Sequence, residues 1–112
     1  MSSRIVVAAF ILLCALFHGT PEARAGCYEN VGCSNREHFP SDALKHFSCQ
    51  NLAFLRNSIY AENGYCFKST EYSAVFLKET CRFNNDADVP LNDYERANIT
   101  AIVEAERGKG CR

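Results

Sequence analysis

The sequence predicts a small all-α domain of about three helices, stapled by disulfides and preceded by an irregular N-terminal segment. Three observations predict it. A short export leader is followed by only 87 residues, that stretch keeps six cysteines, and its apolar residues recur at helical spacing between good capping residues. No stretch alternates apolar and polar residues well enough to predict a sheet.

The leader comes first. Arg4 opens an apolar run of thirteen residues, Ile5 to Phe17, and a polar stretch then ends in Ala23-Arg24-Ala25, a small-x-small cleavage signal. The run is shorter than the ~20 residues a membrane-spanning helix needs. The prediction is therefore a secretion signal over 1–25 and one mature domain over 26–112, with no transmembrane span and a secreted or periplasmic location. Ala25-Gly26-Cys27 also ends like a lipoprotein cleavage box, but Arg24 stands where that box needs an apolar residue. A domain of this length excludes a large catalytic scaffold with a deep cleft. The formal net charge, −1 for the whole chain and −2 without the leader, gives no electrostatic reason to bind nucleic acid or anionic lipid.

Cys14 lies in the leader, which leaves Cys27, Cys33, Cys49, Cys66, Cys81 and Cys111. An even set in a short exported chain predicts three bridges, each adding roughly 2–4 kcal/mol to a domain with little surface to bury. No pair has the two-to-four-residue separation that closes a zinc chelate, so neither metal nor cofactor is expected there. Six cysteines permit fifteen complete pairings. The favoured scheme is Cys27–Cys33, Cys49–Cys111 and Cys66–Cys81. Antiparallel first and third helices would bring Cys49 beside Cys111, and Cys66 and Cys81 flank the second helix.

Residues 26–47 are punctuated by Gly26, Gly32, Ser34, Asn35 and Pro40, with Ser41 expected to cap one short turn from Asp42 to His46 that points Leu44 and Phe47 inward. The first helix is predicted from Cys49 to Asn63. Ser48 caps it by accepting from free backbone N–H groups of the first turn, and Leu52, Leu55, Ile59 and Tyr60 share one arc. Phe54 and Ala61 lie nearly opposite, so two sides are expected to be covered. Gly64 stops the helix in the left-handed conformation, and Tyr65 can fold back on Tyr60. A second helix fits Thr70 to Glu79, with Tyr72, Val75 and Phe76 at helical spacing. The third starts after Asn92, which forms a capping box with Glu95. It runs to about Arg107, where Gly108 and Gly110 end it. Ile99, Ile102 and Val103 make its apolar side, and Ala97, Ala101 and Ala105 leave a shallow side for close approach.

The run Leu55-Arg56-Asn57-Ser58-Ile59-Tyr60-Ala61-Glu62-Asn63-Gly64-Tyr65-Cys66-Phe67 resembles the YARHG domain family, small presumed extracellular domains of bacterial proteins named for a Tyr-Ala-Arg-His-Gly motif. Tyr72, Phe76, the Asn84-Asn85-Asp86 turn, Leu91, Ile99 and Ile102 extend the resemblance over roughly residues 48–107. Glu62-Asn63 stands where the motif has Arg-His, so any contact made by that basic pair is not carried over. The resemblance implies an exported helical module and names no reaction.

Four constellations bear on chemistry. His38 and His46, with Glu37 and Asp42 nearby, offer the one set for general acid–base work, but a base needs a fixed partner and a pocket, and solvated surface histidines are the better reading. Asn84, Asp86, Asp88, Asn92 and Glu95 echo the spacing of a calcium loop without its turn glycine, so no metal is expected. Asn98-Ile99-Thr100 matches a glycosylation sequon inside a helix and is discounted. Arg56 sits at the centre of an apolar arc. It must either reach solvent, bind an anionic ligand, or pair with a carboxylate such as Glu95 or Glu106 on the third helix. Structure is favoured over ligand recognition there. The candidate binding residues are Arg56, Tyr60 and Tyr65, and no catalytic residue is assigned. The reading is an exported, non-enzymatic binding or envelope-associated module with an envelope or extracellular partner. A secreted inhibitor or toxin-like polypeptide displaying the Cys27–Cys33 loop, or a small hydrolase using His38 or His46, are the alternatives.

Overall fold

A computed structural model describes residues 26–76 and 81–112, so the predicted leader over 1–25 lies outside the described residues. The elements run β1 (Cys27–Tyr28), β2 (Gly32–Cys33), α1 (Ser41–Lys45), α2 (Cys49–Glu62), α3 (Thr70–Val75), a 3-10 turn (Asp86–Asp88) and α4 (Asp93–Lys109). The domain is mostly helical, with an N-terminal segment that is irregular apart from one small hairpin and α1.

Local chemistry sets the helix starts. The Ser48 hydroxyl accepts from the Asn51 N–H at 3.1 Å, and the Ser69 hydroxyl accepts from the Tyr72 N–H at 3.2 Å. At α4 the capping box is complete: Asn92 Oδ1 accepts from the Glu95 N–H at 2.8 Å, and the Asn92 N–H donates to Glu95 Oε1 at 3.0 Å. α1 departs from expectation. Ser41 is its first helical residue and Pro40 precedes it as an extended N-cap with no side-chain cap bond. The ring of Pro40 already holds φ near the value a helix start requires, and the gain comes from Leu44, which is 1% exposed.

The two long helices, α2 and α4, are both closed by left-handed glycines. Gly64 has φ +95° and Gly110 has φ +72°. At the end of α2 the Gly64 N–H donates to the Ala61 carbonyl and the Tyr65 N–H to the Tyr60 carbonyl. At the end of α4 the Gly110 and Cys111 N–H groups donate to Arg107 and Glu106. These are paired reverse bonds of the Schellman kind, which satisfy carbonyls the helix leaves free. Gly108, expected to help end α4, is carried inside it. Of the predicted second helix, Thr70–Val75 is present with Phe76 as its C-cap, and residues 77–79 fall outside the described residues.

The absence of any sheet is corrected by β1 and β2, an antiparallel pair with Cys27 opposite Cys33 and Tyr28 opposite Gly32. Two residues per strand are too few for alternation to register. A disulfide across the pair replaces the missing ladder, and Asn30 takes the left-handed turn position at φ +73°.

α2 and α4 are the two long elements, and α1 lies against α4. Their shared core is Val31, Phe39, Leu44, Leu52, Leu55, Ile59 and Ile102. Ala101 and Ala105 pack on this core from α4, next to α1. Disulfides join Cys49 to Cys111 and Cys66 to Cys81. The first ties the start of α2 to the end of α4, while Asn63 at the end of α2 donates to Glu95 at the start of α4. The two helices are therefore antiparallel and fastened at both ends. Among the described residues no helix is long and apolar enough to cross a membrane.

Candidate recognition surface

The end of α2 organises the surface. Because Gly64 reverses the chain, Tyr65 returns beside Tyr60 with ring centroids 5.9 Å apart. Strand-like bonds then hold the returning segment. The Phe83 N–H donates to the Gly64 carbonyl at 3.0 Å, and the Cys66 N–H to the Phe83 carbonyl at 2.8 Å. The Cys66–Cys81 bridge pins the same place covalently.

From there a line of rings runs past α3 and returns to α2 at Phe54. Tyr65 meets Phe67 edge-on at 4.8 Å, Phe67 stacks on Phe76 at 5.2 Å, and Phe76 lies 5.3 Å from Phe54. Tyr72 flanks Phe67 at 5.9 Å. These separations lie in the favourable range for aromatic pairs, yet none of the six rings belongs to the buried core. Phe54, expected to be covered on the far side of α2, is 49% exposed, and Val75 beside Phe76 is 58% exposed. The only ring paired with Phe54 among the described residues is Phe76.

Arg56 is committed elsewhere. Its Nε donates to Glu106 Oε1 at 2.8 Å and a terminal nitrogen to Oε2 at 3.2 Å, a two-point pairing that fits the planar guanidinium. That bond raises the Arg56 pKa, against the opposing effect of burial. The pair and Tyr60 line a shallow depression of about 390 Å³ with Asp86, Ile99, Val103 and Arg107. Burial, with Asp86 adding to it, raises the Tyr60 pKa and keeps its hydroxyl protonated.

The pair that departs from the family motif turns inward. Glu62 Oε1 accepts from the Gly26 N–H at 2.7 Å and from the Tyr28 hydroxyl at 3.0 Å, so it ties β1 to α2. Burial, and then the charge of Glu62, push the Tyr28 phenol well above its ordinary range. Asn63 Nδ2 donates to the Ile59 carbonyl and to Glu95. Neither role was legible in advance.

Asn98 was missed as well. Discounted as a sequon, it is 1% exposed and holds the N-terminal segment against α4. Its Oδ1 accepts from the Phe39 N–H at 2.8 Å, and its Nδ2 donates to the carbonyls of Ser34 at 3.0 Å and Glu37 at 2.8 Å. A signal existed: Asn98 shares the helical arc of Glu95 and Ile102.

The remaining candidates are not brought together. His38 lies against Tyr94 at 4.8 Å, and His46 is the exposed C-cap of α1. Neither pairs with a carboxylate among the described residues. In the calcium-like stretch Asp86 and Asp88 sit in an exposed 3-10 turn, while Asn92 and Glu95 are spent on the capping box. Among the described residues no group of three or more His, Cys, Asp or Glu side chains is placed to hold a metal ion.

Fold and bridges together define a small disulfide-stapled helical domain of the kind found outside the cytoplasm. The chain belongs to the YARHG domain family, whose model matches residues 28–107. The match begins twenty residues before the resemblance read from the sequence, and the packing shows why: Val31, Phe39 and Leu44 complete the same core as Leu52, Ile59 and Ile102. No curated protein and no solved structure matches the chain.

Proposed function

We propose that this protein is an exported, non-enzymatic binding module that meets an envelope or extracellular partner through the aromatic ridge Phe54–Phe76–Phe67–Tyr65–Tyr60. The family is one of presumed extracellular domains, and the three bridges suit an oxidising compartment. The ridge itself carries the reading. A folded chain this small gains most by burying its large rings, yet six of them stand apart from the core, held by a disulfide and a helix stop. Aromatic side chains with few rotatable bonds suit recognition because little freedom is lost on contact.

Arg56 contributes by position rather than by charge, since Glu106 neutralises it through two hydrogen bonds. The inhibitor-like alternative has less support, because the hairpin leaves only Glu29 and Asn30 exposed at its tip. The hydrolase alternative would need a partner for His38 or His46 from outside the described residues.

A photo-crosslinking side chain placed at Phe54, at Val75 and, as a control, at Thr100 tests the proposal in cells that export the protein. Adducts of one defined mass at Phe54 and Val75, absent at Thr100, are expected. Equal labelling at all three positions would refute a ridge-centred contact.

A further inference from the structure

A second feature lies at the opposite, polar side of the α2 terminus, where Gly26, Asn35, Glu62, Asn63, Asn92 and Glu95 surround a niche of about 380 Å³. Two carboxylates share it. Glu95 is 6% exposed and Glu62 is half-buried, and among the described residues neither pairs with Lys, Arg or His. Among the described residues their hydrogen bonds come from neutral groups: Asn63 and the Asn92 N–H for Glu95, Gly26 and Tyr28 for Glu62. Buried carboxylates normally find a positive partner, because desolvating them alone is costly.

The sequence supplies one at the same spot. The cleavage signal Ala23-Arg24-Ala25 ends directly before Gly26, and Gly26 N is the atom that lies 2.7 Å from Glu62 Oε1. We infer that removal of the leader creates an α-ammonium on Gly26 that seats on Glu62, so that Glu62 is the socket for the mature N-terminus and processing completes the fold electrostatically. Hydrolysis of the Ala25–Gly26 peptide bond consumes one water, leaving the Ala25 carboxylate on the leader and the amine on Gly26. The amine is protonated at neutral pH, since its ordinary pKa is about 8.

The local geometry selects glycine at this position. A Cβ on Gly26 would come within 2.9 Å of Glu62 Oε2 and 3.5 Å of the Ser34 hydroxyl. Ser34 is fully buried, and its hydroxyl has no hydrogen-bond partner among the described residues. The carboxylate thus receives the new amine at hydrogen-bond distance, and the Ser34 hydroxyl lies close to the same residue. The Gly26 carbonyl is held by the Ser34 N–H at 2.7 Å, which fixes the first residue from its other side. Facing the amine are Glu62 from α2, Glu95 from α4 and Tyr28 from β1. The two acids favour the charged form of the amine, and Tyr28 stays neutral beside them.

The sign follows from that direction. A pKa raised by folding gives stability that is complete below the unfolded value of about 8 and lost as pH rises through the folded value. The test uses the full chain exported through its own leader, with mass spectrometry to establish the first residue. A second chain carries one alanine inserted between Ala25 and Gly26. Cleavage then leaves that alanine in front, and Gly26 N becomes an ordinary amide. Thermal unfolding from pH 6 to pH 10 is measured for both, and again with Glu62→Gln.

The wild-type chain should begin at Gly26 and lose several degrees of Tm above about pH 8 that the inserted chain does not lose. Glu62→Gln should abolish that difference. A mature chain starting elsewhere, or identical pH profiles for the wild-type and inserted chains, overturns the inference even if Glu62→Gln fails to fold.

Discussion

Replacing Asn98 by alanine would show how much of the domain depends on one buried amide. The side chain is 1% exposed and makes three hydrogen bonds, to the Phe39 N–H and to the Ser34 and Glu37 carbonyls. Alanine strands all three. The bonds to Phe39 and Ser34 are fully buried, and each orphaned group costs about 1–3 kcal/mol. The Glu37 carbonyl is partly accessible and recovers water, so it adds little. The sum is about 2–6 kcal/mol, a large share of the roughly 5–15 kcal/mol that holds a domain together. In a chain of this size that lowers Tm by on the order of 20 °C. Circular dichroism on oxidised protein reads it directly. Asn98→Asp sharpens the test: it keeps the acceptor for Phe39 but sets a carboxylate against two carbonyls. Its pKa would be raised on folding, so the variant should be most stable in acid and lose stability as pH rises through the raised value. Alanine within about 1 kcal/mol of wild type would mean that apolar contacts alone hold the N-terminal segment, and the reasoning would fail.

Three further outcomes follow from the same structure. Arg56→Ala and Glu106→Ala should each cost about 1–3 kcal/mol, between exposed and fully buried ion pairs because Arg56 is 30% and Glu106 12% exposed; a double-mutant cycle with no coupling energy would refute the pairing. Gly64→Ala should cost about 1–2 kcal/mol, since φ +95° is strained for alanine and the new methyl would meet the Phe83 ring at 3.2 Å; an unchanged midpoint in urea would show that the stop can relax. Tyr28 should resist alkaline titration, because burial and Glu62 favour its neutral form. The stability it contributes is complete below the unfolded pKa of about 10 and is lost as pH rises toward the higher folded value, so tyrosinate absorbance with an early fifth component from Tyr28 in folded protein would contradict the packing.

What the sequence revealed depends on the distance over which each signal acts. Ser48, the Asn92–Glu95 box and the Gly64 stop work within a few residues, so their chemistry could be read without a fold. The helical spacing of Leu52, Leu55 and Ile59 likewise named core positions. The contacts of Asn98 span 59 to 64 residues, and those of Glu62 span 34 to 36. No local pattern encodes such partners. The hairpin escaped notice because a disulfide does the work that strand length would otherwise do. Phe54 was expected to be covered because its position on the helix wheel is apolar, but periodicity cannot say whether a second layer of chain exists to cover it.

The motif at the end of α2 thereby separates into two faces with different jobs. Residues 60, 64 and 65 form the turn and the first rings of the ridge, and their chemistry is aromatic and outward. Residues 62 and 63 point to the hairpin and α4, where the family's Arg-His is replaced by Glu-Asn. The substitution changes which neighbours can be satisfied. Glu62 accepts from Gly26 and Tyr28, which an arginine in its place has no acceptor to do. Asn63 donates from one nitrogen to both the Ile59 carbonyl and Glu95, and no imidazole nitrogen carries the two hydrogens this needs. In this chain the inward half of the motif is therefore matched to the hairpin segment and to α4. The outward half keeps the motif's Tyr60 and Gly64, and through Tyr65 it is continuous with Phe67, Phe76 and Phe54.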